Sequence, residues 1–231
     1  MSDTKPTQSG VAAIEFSLSL LLWLPLMLGT LFYGAELIRD LQAVQLARDI
    51  ASMYARNVDF SQAANKSFVA RLGRELNLQV TGGSGVVILT TIQFISKNEC
   101  NVLPTGTACT NLLHWVVTQR NTVGDTSLRL SSYTSDPIPS TLFDSSGKVL
   151  SNASPSYPLY LTDSRLQLNT NFNATGLTVQ TNSSNLPVTD SSGLPVAYGA
   201  GTSVYVVEVY FKSTPVPGFR NNPGLYVVTI S

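Results

Sequence analysis

Residues 9–58 read SGVAAIEFSLSLLLWLPLMLGTLFYGAELIRDLQAVQLARDIASMYARNV, and the fold turns on how this stretch is read. Val11–Ala35 is a run of 25 residues with one charge, Glu15; from Phe16 onward 20 consecutive residues carry none. At about 1.5 Å rise per residue, 20 helical residues span the roughly 30 Å hydrocarbon core of a bilayer. A membrane-spanning helix over 11–35 is the leading reading. A removable signal peptide, whose apolar core runs to about 7–15 residues, and a buried core helix are the competing ones. Pro25 lies inside the run and cannot donate to the carbonyl one turn earlier, so a bend or local loosening is expected there, although membrane helices tolerate proline.

The helical pattern continues beyond the apolar run. Leu37, Leu41, Val44, Ala51, Tyr54 and Val58 recur at spacings of three, four or seven, and Leu46, Ile50 and Met53 widen that stripe. Arg39, Asp40, Arg48, Asp49 and Arg56 fill the other positions. No Gly or Pro interrupts residues 35–58, which predicts one helix of about 45 residues, its second part (36–58) laying an apolar stripe on a globular domain. A second helix is predicted over 61–77, capped by Asp59 or Ser61 and with Phe68, Leu72 and Leu76 on its apolar face. TGGSG (Thr81–Gly85) ends helical character.

Beyond Gly85 the pattern becomes that of strands. Val86–Ile95, Leu112–Gln119, Ser203–Lys212 and Leu225–Ile230 are rich in β-branched and aromatic residues. In the third of these, Tyr205, Val207, Val209 and Phe211 form one unbroken apolar face, opposite Val204, Val206, Glu208 and Tyr210. Strands following helices, rather than alternating with them, predict an α+β domain over 59–231 with an antiparallel sheet, one face covered by the long helix. Between about 122 and 201 the chain turns dense in Ser, Thr, Asn, Gly and Pro, with strand-like pieces at Tyr157–Thr162 and Arg165–Asn169. We read it as a β-rich insertion, the segment freest to carry a binding surface. DSSG occurs twice, at Asp144–Gly147 and Asp190–Gly193. It reads as a turn, because a Ca²⁺ loop needs more carboxylates at alternating positions.

Composition narrows the function classes. Of 231 residues 43% are hydrophobic and 12% charged, with Lys+Arg (14) equal to Asp+Glu (14). A nucleic-acid binder needs a basic surplus that is absent here. One His and two Cys disfavour a zinc site. Cys100 and Cys109 enclose NVLPTGTA, whose Pro104–Gly106 turn brings the ends together; a disulfide is favoured over free thiols or a metal pair. His114, in the strand-like LLHWVV, could be paired on paper with any serine, but no G-x-S-x-G elbow or phosphate loop accompanies it, and no carboxylate pair stands out. No catalytic residue, cofactor or metal is assigned. Glu15 does stand out: a carboxylate in an apolar helix is costly, less so near the interface, where it can snorkel or find a partner. Lys/Arg counts on either side of the span do not settle its orientation, because a long domain follows it.

Gly10 is followed by Val11-Ala12-Ala13-Ile14 and then Glu15-Phe16, a G-x-x-x-x-E-[FY] junction between a short polar leader with Lys5 and a long apolar helix. Residues 9–38 resemble the TadE-like minor pseudopilins of the tight-adherence (Tad/Flp) pilus. The likeness is dense over 9–55 and thinner beyond, where VVTQR (116–120), VVEVYFKSTPV (206–216) and the cysteine loop are similar to the family's periplasmic domain. The resemblance implies a pilin-like fold and a leader (1–10) on the cytoplasmic side, cut by prepilin peptidase between Gly10 and Val11. It also implies a single-pass inner-membrane protein with its C-terminal domain in the periplasm, and partners among other Tad pilins and the inner-membrane assembly platform. Glu15, beside Phe16, would pair with the new Val11 amine of a neighbouring subunit. A membrane-anchored periplasmic binding or adhesion module is the alternative, with a hydrolase using His114 a distant third.

Overall fold

The computed structural model of the protein describes residues 9–134, 137–168, 203–212 and 224–230, with side chains from residue 12 onward. The chain divides into two units at Gln42/Ala43. Helix α1, Ser9–Ala55, belongs to both and runs without interruption through Pro25.

The first unit is the outer part of α1. Its large apolar side chains are exposed: Leu21, Trp23 and Met27 keep 76%, 65% and 64% of their surface. An apolar helix with no polar face is the pattern of a segment whose solvent is not water. It is long and apolar enough to cross a membrane. Leu37 and Leu41, expected on the domain-facing stripe, are exposed as well.

The second unit is an α+β domain. Strands β1 (Gly85–Phe94), β2 (Trp115–Gly124), β5 (Ser203–Phe211) and β6 (Leu225–Ile230) form an antiparallel sheet in the order β2-β1-β5-β6. Side chains alternate between its faces. On one face Val87, Leu89, Val123, Val207 and Val209 join a core with Ala43, Leu46, Ala47, Ile50, Ala51 and Tyr54 of α1. The stripe therefore starts at Ala43. Each large aliphatic side chain fully buried there contributes about 1.5–3 kcal/mol.

Helix α2 is shorter than expected, Ala63–Leu72; it stops at Gly73 and continues as a 3-10 turn, Arg74–Leu76. Its N-cap is Gln62, with no side-chain cap. Asp59 instead accepts from the Ser61 backbone N–H in a preceding turn (2.9 Å). Val69, Ala70 and Leu76 are the buried residues, whereas Phe68 and Leu72 stay exposed.

The other sheet face is covered by the segment from Asp125 to Leu168. Leu142, Val149 and Leu166 pack on Ile92, Val117, Val204 and Val206. This segment holds a small hairpin, β3 (Ser151–Ala153) with β4 (Ser156–Pro158), and 3-10 turns at Leu159–Leu161 and Ser164–Leu166 where strand pieces were expected. The insertion begins later than about 122, since β2 runs to Gly124. Residues 169–202, with the second DSSG, lie outside the described residues.

The second strand also starts later than LLHWVVTQ suggests. Leu113 adopts φ 63° and turns the chain, so β2 opens at Trp115 and then takes in the polar run TQRNTVG. A bulge at Thr118 of β2, opposite Thr91 and Ile92 of β1, shifts the register between the two strands.

Candidate functional site

Two regions hold the chemistry-bearing residues, one in each unit. The first is the start of α1. Residues 1–8 of the expected leader lie outside the described residues. The Gly10–Val11 bond falls within the first turn of α1, where backbone N–H groups lack intrahelical acceptors and the helix opens most readily. Glu15 follows Val11 by four residues, about 6 Å along the axis. Glu15 and Phe16 are both exposed, Phe16 at 65%. Nearby, Ser17 Oγ donates to the Ala13 carbonyl (2.8 Å), keeping that hydroxyl satisfied within the helix.

The second region lies in the α+β domain. Cys100 and Cys109 form a disulfide, with Cα atoms 5.8 Å apart. The intervening turn is closed by Thr107 N–H to the Pro104 carbonyl (3.0 Å). A four-residue helix, α3 (Lys97–Cys100), leads into it, capped by Ser96 and Glu99 in a reciprocal capping box. The two cysteines pack with Leu103 and Tyr160 against Ile95, Val116 and Leu161, so the bridge fastens the loop to the sheet end. His114 is exposed in the turn before β2 and not in the strand. Its backbone N–H donates to the Asn111 carbonyl (3.1 Å), and its own carbonyl accepts from Ile95 N–H. The structure brings no serine hydroxyl or carboxylate to its ring among the described residues.

Glu208 marks a constellation that periodicity did not single out. It sits on β5, 1% exposed, on the face away from α1. Its carboxylate accepts from Ser131 Oγ, from Ser132 N–H (2.9 Å) and from the Tyr226 hydroxyl (2.6 Å). Arg129 lies over the Tyr226 ring, 3.7 Å from its centroid, and Arg129 Nη2 donates to Ser132 Oγ (3.0 Å). Burial, with Glu208 beside it, pushes the Tyr226 hydroxyl well above the usual tyrosine range. Burial also pulls the Arg120 guanidinium below its ordinary value, and Glu208 works against that pull. A charged residue flanked on both faces by valines, VYVVEVYF, was the available signal: both faces of β5 are covered, so Glu208 had to be partnered.

Two clefts among the described residues bear on these side chains. One, about 540 Å³, is lined by Tyr54, Tyr160 and Tyr205 with Asn57, Gln93 and Gln119. In it Tyr54 shares a hydrogen bond with Thr91 Oγ1 (2.6 Å), and burial pushes its hydroxyl up to about 12. The other, about 410 Å³, lies beside Arg120. The first DSSG forms its rim as a tight turn: Asp144 accepts from the Ser146 and Lys148 backbone N–H groups, and Gly147 takes φ 77°. The hydrogen bond from the Ser146 hydroxyl (2.7 Å), above all, with those backbone bonds, holds the Asp144 carboxyl below its usual range. Comparison of the chain with family models, with curated proteins and with solved structures gives no match.

Proposed function

We propose that the protein is a minor pseudopilin of the TadE-like kind, taking part in initiation, capping or adaptation of a Tad/Flp-type pilus and so in surface attachment. The observation that carries the reading is α1: one helix, 47 residues long, with an exposed apolar outer part that opens on the Gly10–Phe16 junction. Its role is structural. The helix is the membrane anchor of the precursor and, after cleavage between Gly10 and Val11, the packing element toward other pilins. The α+β domain is its periplasmic cargo.

Cleavage matters because it creates a charge. Before it, Val11 has an amide; after it, an amine one helical turn from Glu15. In a low dielectric, an amine from one subunit and Glu15 from the next offset each other's burial, while either alone is penalised. The pair would therefore favour one stagger between helices, and processing would gate assembly. Prepilin peptidase and an inner-membrane assembly platform are the partners this requires.

Mass spectrometry of the protein from cells that make the peptidase should find Val11 as the N-terminus. Replacing Glu15 by Ala should abolish piliation and leave membrane insertion intact. An unprocessed terminus in such cells, or normal pili in the Glu15→Ala strain, would overturn the reading in favour of a membrane-anchored module outside any filament.

A further inference from the structure

The cavity of about 410 Å³ beside β2 is lined by three cationic side chains, Lys66, Arg120 and Arg129. Asp144, in the same lining, is already an acceptor for its own turn, taking Ser146 N–H (2.8 Å), Ser146 Oγ (2.7 Å) and Lys148 N–H (3.0 Å). Glu208, whose charge is felt by Arg120, is likewise engaged by Ser131, Ser132 and Tyr226. Neither carboxylate has Arg120 as a hydrogen-bond donor. Arg120 Nε and Nη2, and Arg129 Nε, are buried with no acceptor among the described residues.

Buried donors on a charged group without acceptors are rare and costly. The two on Arg120 have a particular geometry. Nε–H and the adjacent Nη2–H lie along one edge of the planar guanidinium, parallel and spaced to meet the two oxygens of one carboxylate or phosphate. That edge is closed to bulk water as the side chain stands. Because nothing is hydrogen-bonded to it, turning it toward the cavity breaks no bond. The rest of the lining includes the apolar side chains Ile88, Ile138 and Phe143 and the hydroxyls of Thr122 and Thr134. The volume is within the usual range for small-ligand sites.

We propose that this cavity binds a small organic acid, its carboxylate held by the Arg120 edge with Arg129 and Lys66, its body against Ile88, Ile138 and Phe143. The cations supply the attraction; the apolar wall distinguishes a carboxylate on a carbon body from inorganic phosphate, which would leave that wall uncovered. The site lies wholly in the α+β domain and stands independently of any role for α1.

Calorimetric titration of the full-length protein in dodecyl maltoside micelles, at low ionic strength, tests it. The probes are benzoate, glucuronate and inorganic phosphate, with benzyl alcohol and glucose as uncharged counterparts. Saturable binding of benzoate or glucuronate, absent for its uncharged counterpart, is expected. Arg120→Gln should weaken it about tenfold or more, and adding salt should weaken it further. Lys66→Gln, on the surface helix α2, should weaken it about threefold and guards against a folding defect in the Arg120 variant. Benzoate binding alone identifies an apolar acid, and glucuronate binding alone a sugar acid. Failure of both carboxylates, binding of phosphate only, or unchanged affinity in folded Arg120→Gln and Lys66→Gln proteins would overturn the proposal.

Discussion

Replacing Glu208 by Gln keeps the size of the side chain and removes its charge, which isolates what the buried carboxylate does. Glu208 is 1% exposed and accepts three hydrogen bonds, from Ser131, Ser132 and Tyr226. A hydrogen bond to a charged group contributes about 1.5–3 kcal/mol net and a neutral one about 0.5–1.5, so losing the charge costs about 1 kcal/mol per bond. Three such bonds give about 3 kcal/mol. For a chain of this length that lowers Tm by about 6–12 °C. Urea unfolding of the full-length protein in micelles, followed by the fluorescence of Trp115 packed edge-on against Phe94 (centroids 5.4 Å apart), measures it. In an Arg120→Met background the Glu208→Gln cost should shrink by at least about 0.5 kcal/mol, because the carboxylate no longer opposes a buried positive charge. A Glu208→Gln protein within about 0.5 kcal/mol of wild type would refute the reasoning. The three donors would then be satisfied without the charge.

Two further outcomes follow from the same core. The Tyr54 hydroxyl titrates near 12 against an ordinary 10 because burial disfavours the phenolate. The neutral form is thus preferred in the folded state: its stabilisation is whole below pH 10 and is lost as pH rises to about 12. Tyr54 should contribute a loss of about 2–3 kcal/mol to alkaline unfolding across that window, and Tyr54→Phe should remove that share while the share of the other raised tyrosines, Tyr226 among them, remains. Gly124 ends β2 at φ 104°, and a Cβ there would fall 2.2 Å from the Gly85 carbonyl oxygen. Gly124→Ala should cost about 2–4 kcal/mol by urea unfolding, whereas Gly106→Ala, at φ 90° with open space around it, should cost only about 1 kcal/mol.

The elements that were legible in the sequence are those whose signal is local and apolar. The helix through Val11–Ala55 and the strands at Val86, Ser203 and Leu225 announce themselves by run length, period and β-branching. The misplacements share one cause: backbone geometry that hydropathy does not record. Leu112–His114 is apolar enough for a strand, yet Leu113 turns at positive φ; Gln119–Gly124 is polar, yet pairs with β1 residue by residue. The apolar stripe reads from Leu37 in the sequence but is buried only from Ala43 in the structure, where alanines, which score weakly, make up much of it. The Glu208 constellation was out of reach for a different reason. Its partners lie 76 and 77 residues earlier and 18 later in the chain, and only the fold brings them together.

The same buried-residue pattern bears on α1. The core residues begin at Ala43, and the domain closes both faces of its sheet with residues from that point on. The outer part of α1 therefore carries an apolar surface that the domain's core does not use. In water that surface is penalised over its whole length, which fits a candidate membrane span. Lipid alone satisfies Leu21, Trp23 and Met27. It does not satisfy Glu15, which needs either water at the membrane surface or a positive group at its own depth. A neighbouring helix ending in an amine at Val11 would supply the positive group, and a hydrated headgroup layer would supply the water. Glu15→Ala separates the two: a chain that merely rests its carboxylate among headgroups loses nothing by the change, while one that reads its neighbour's position through that carboxylate loses its filament.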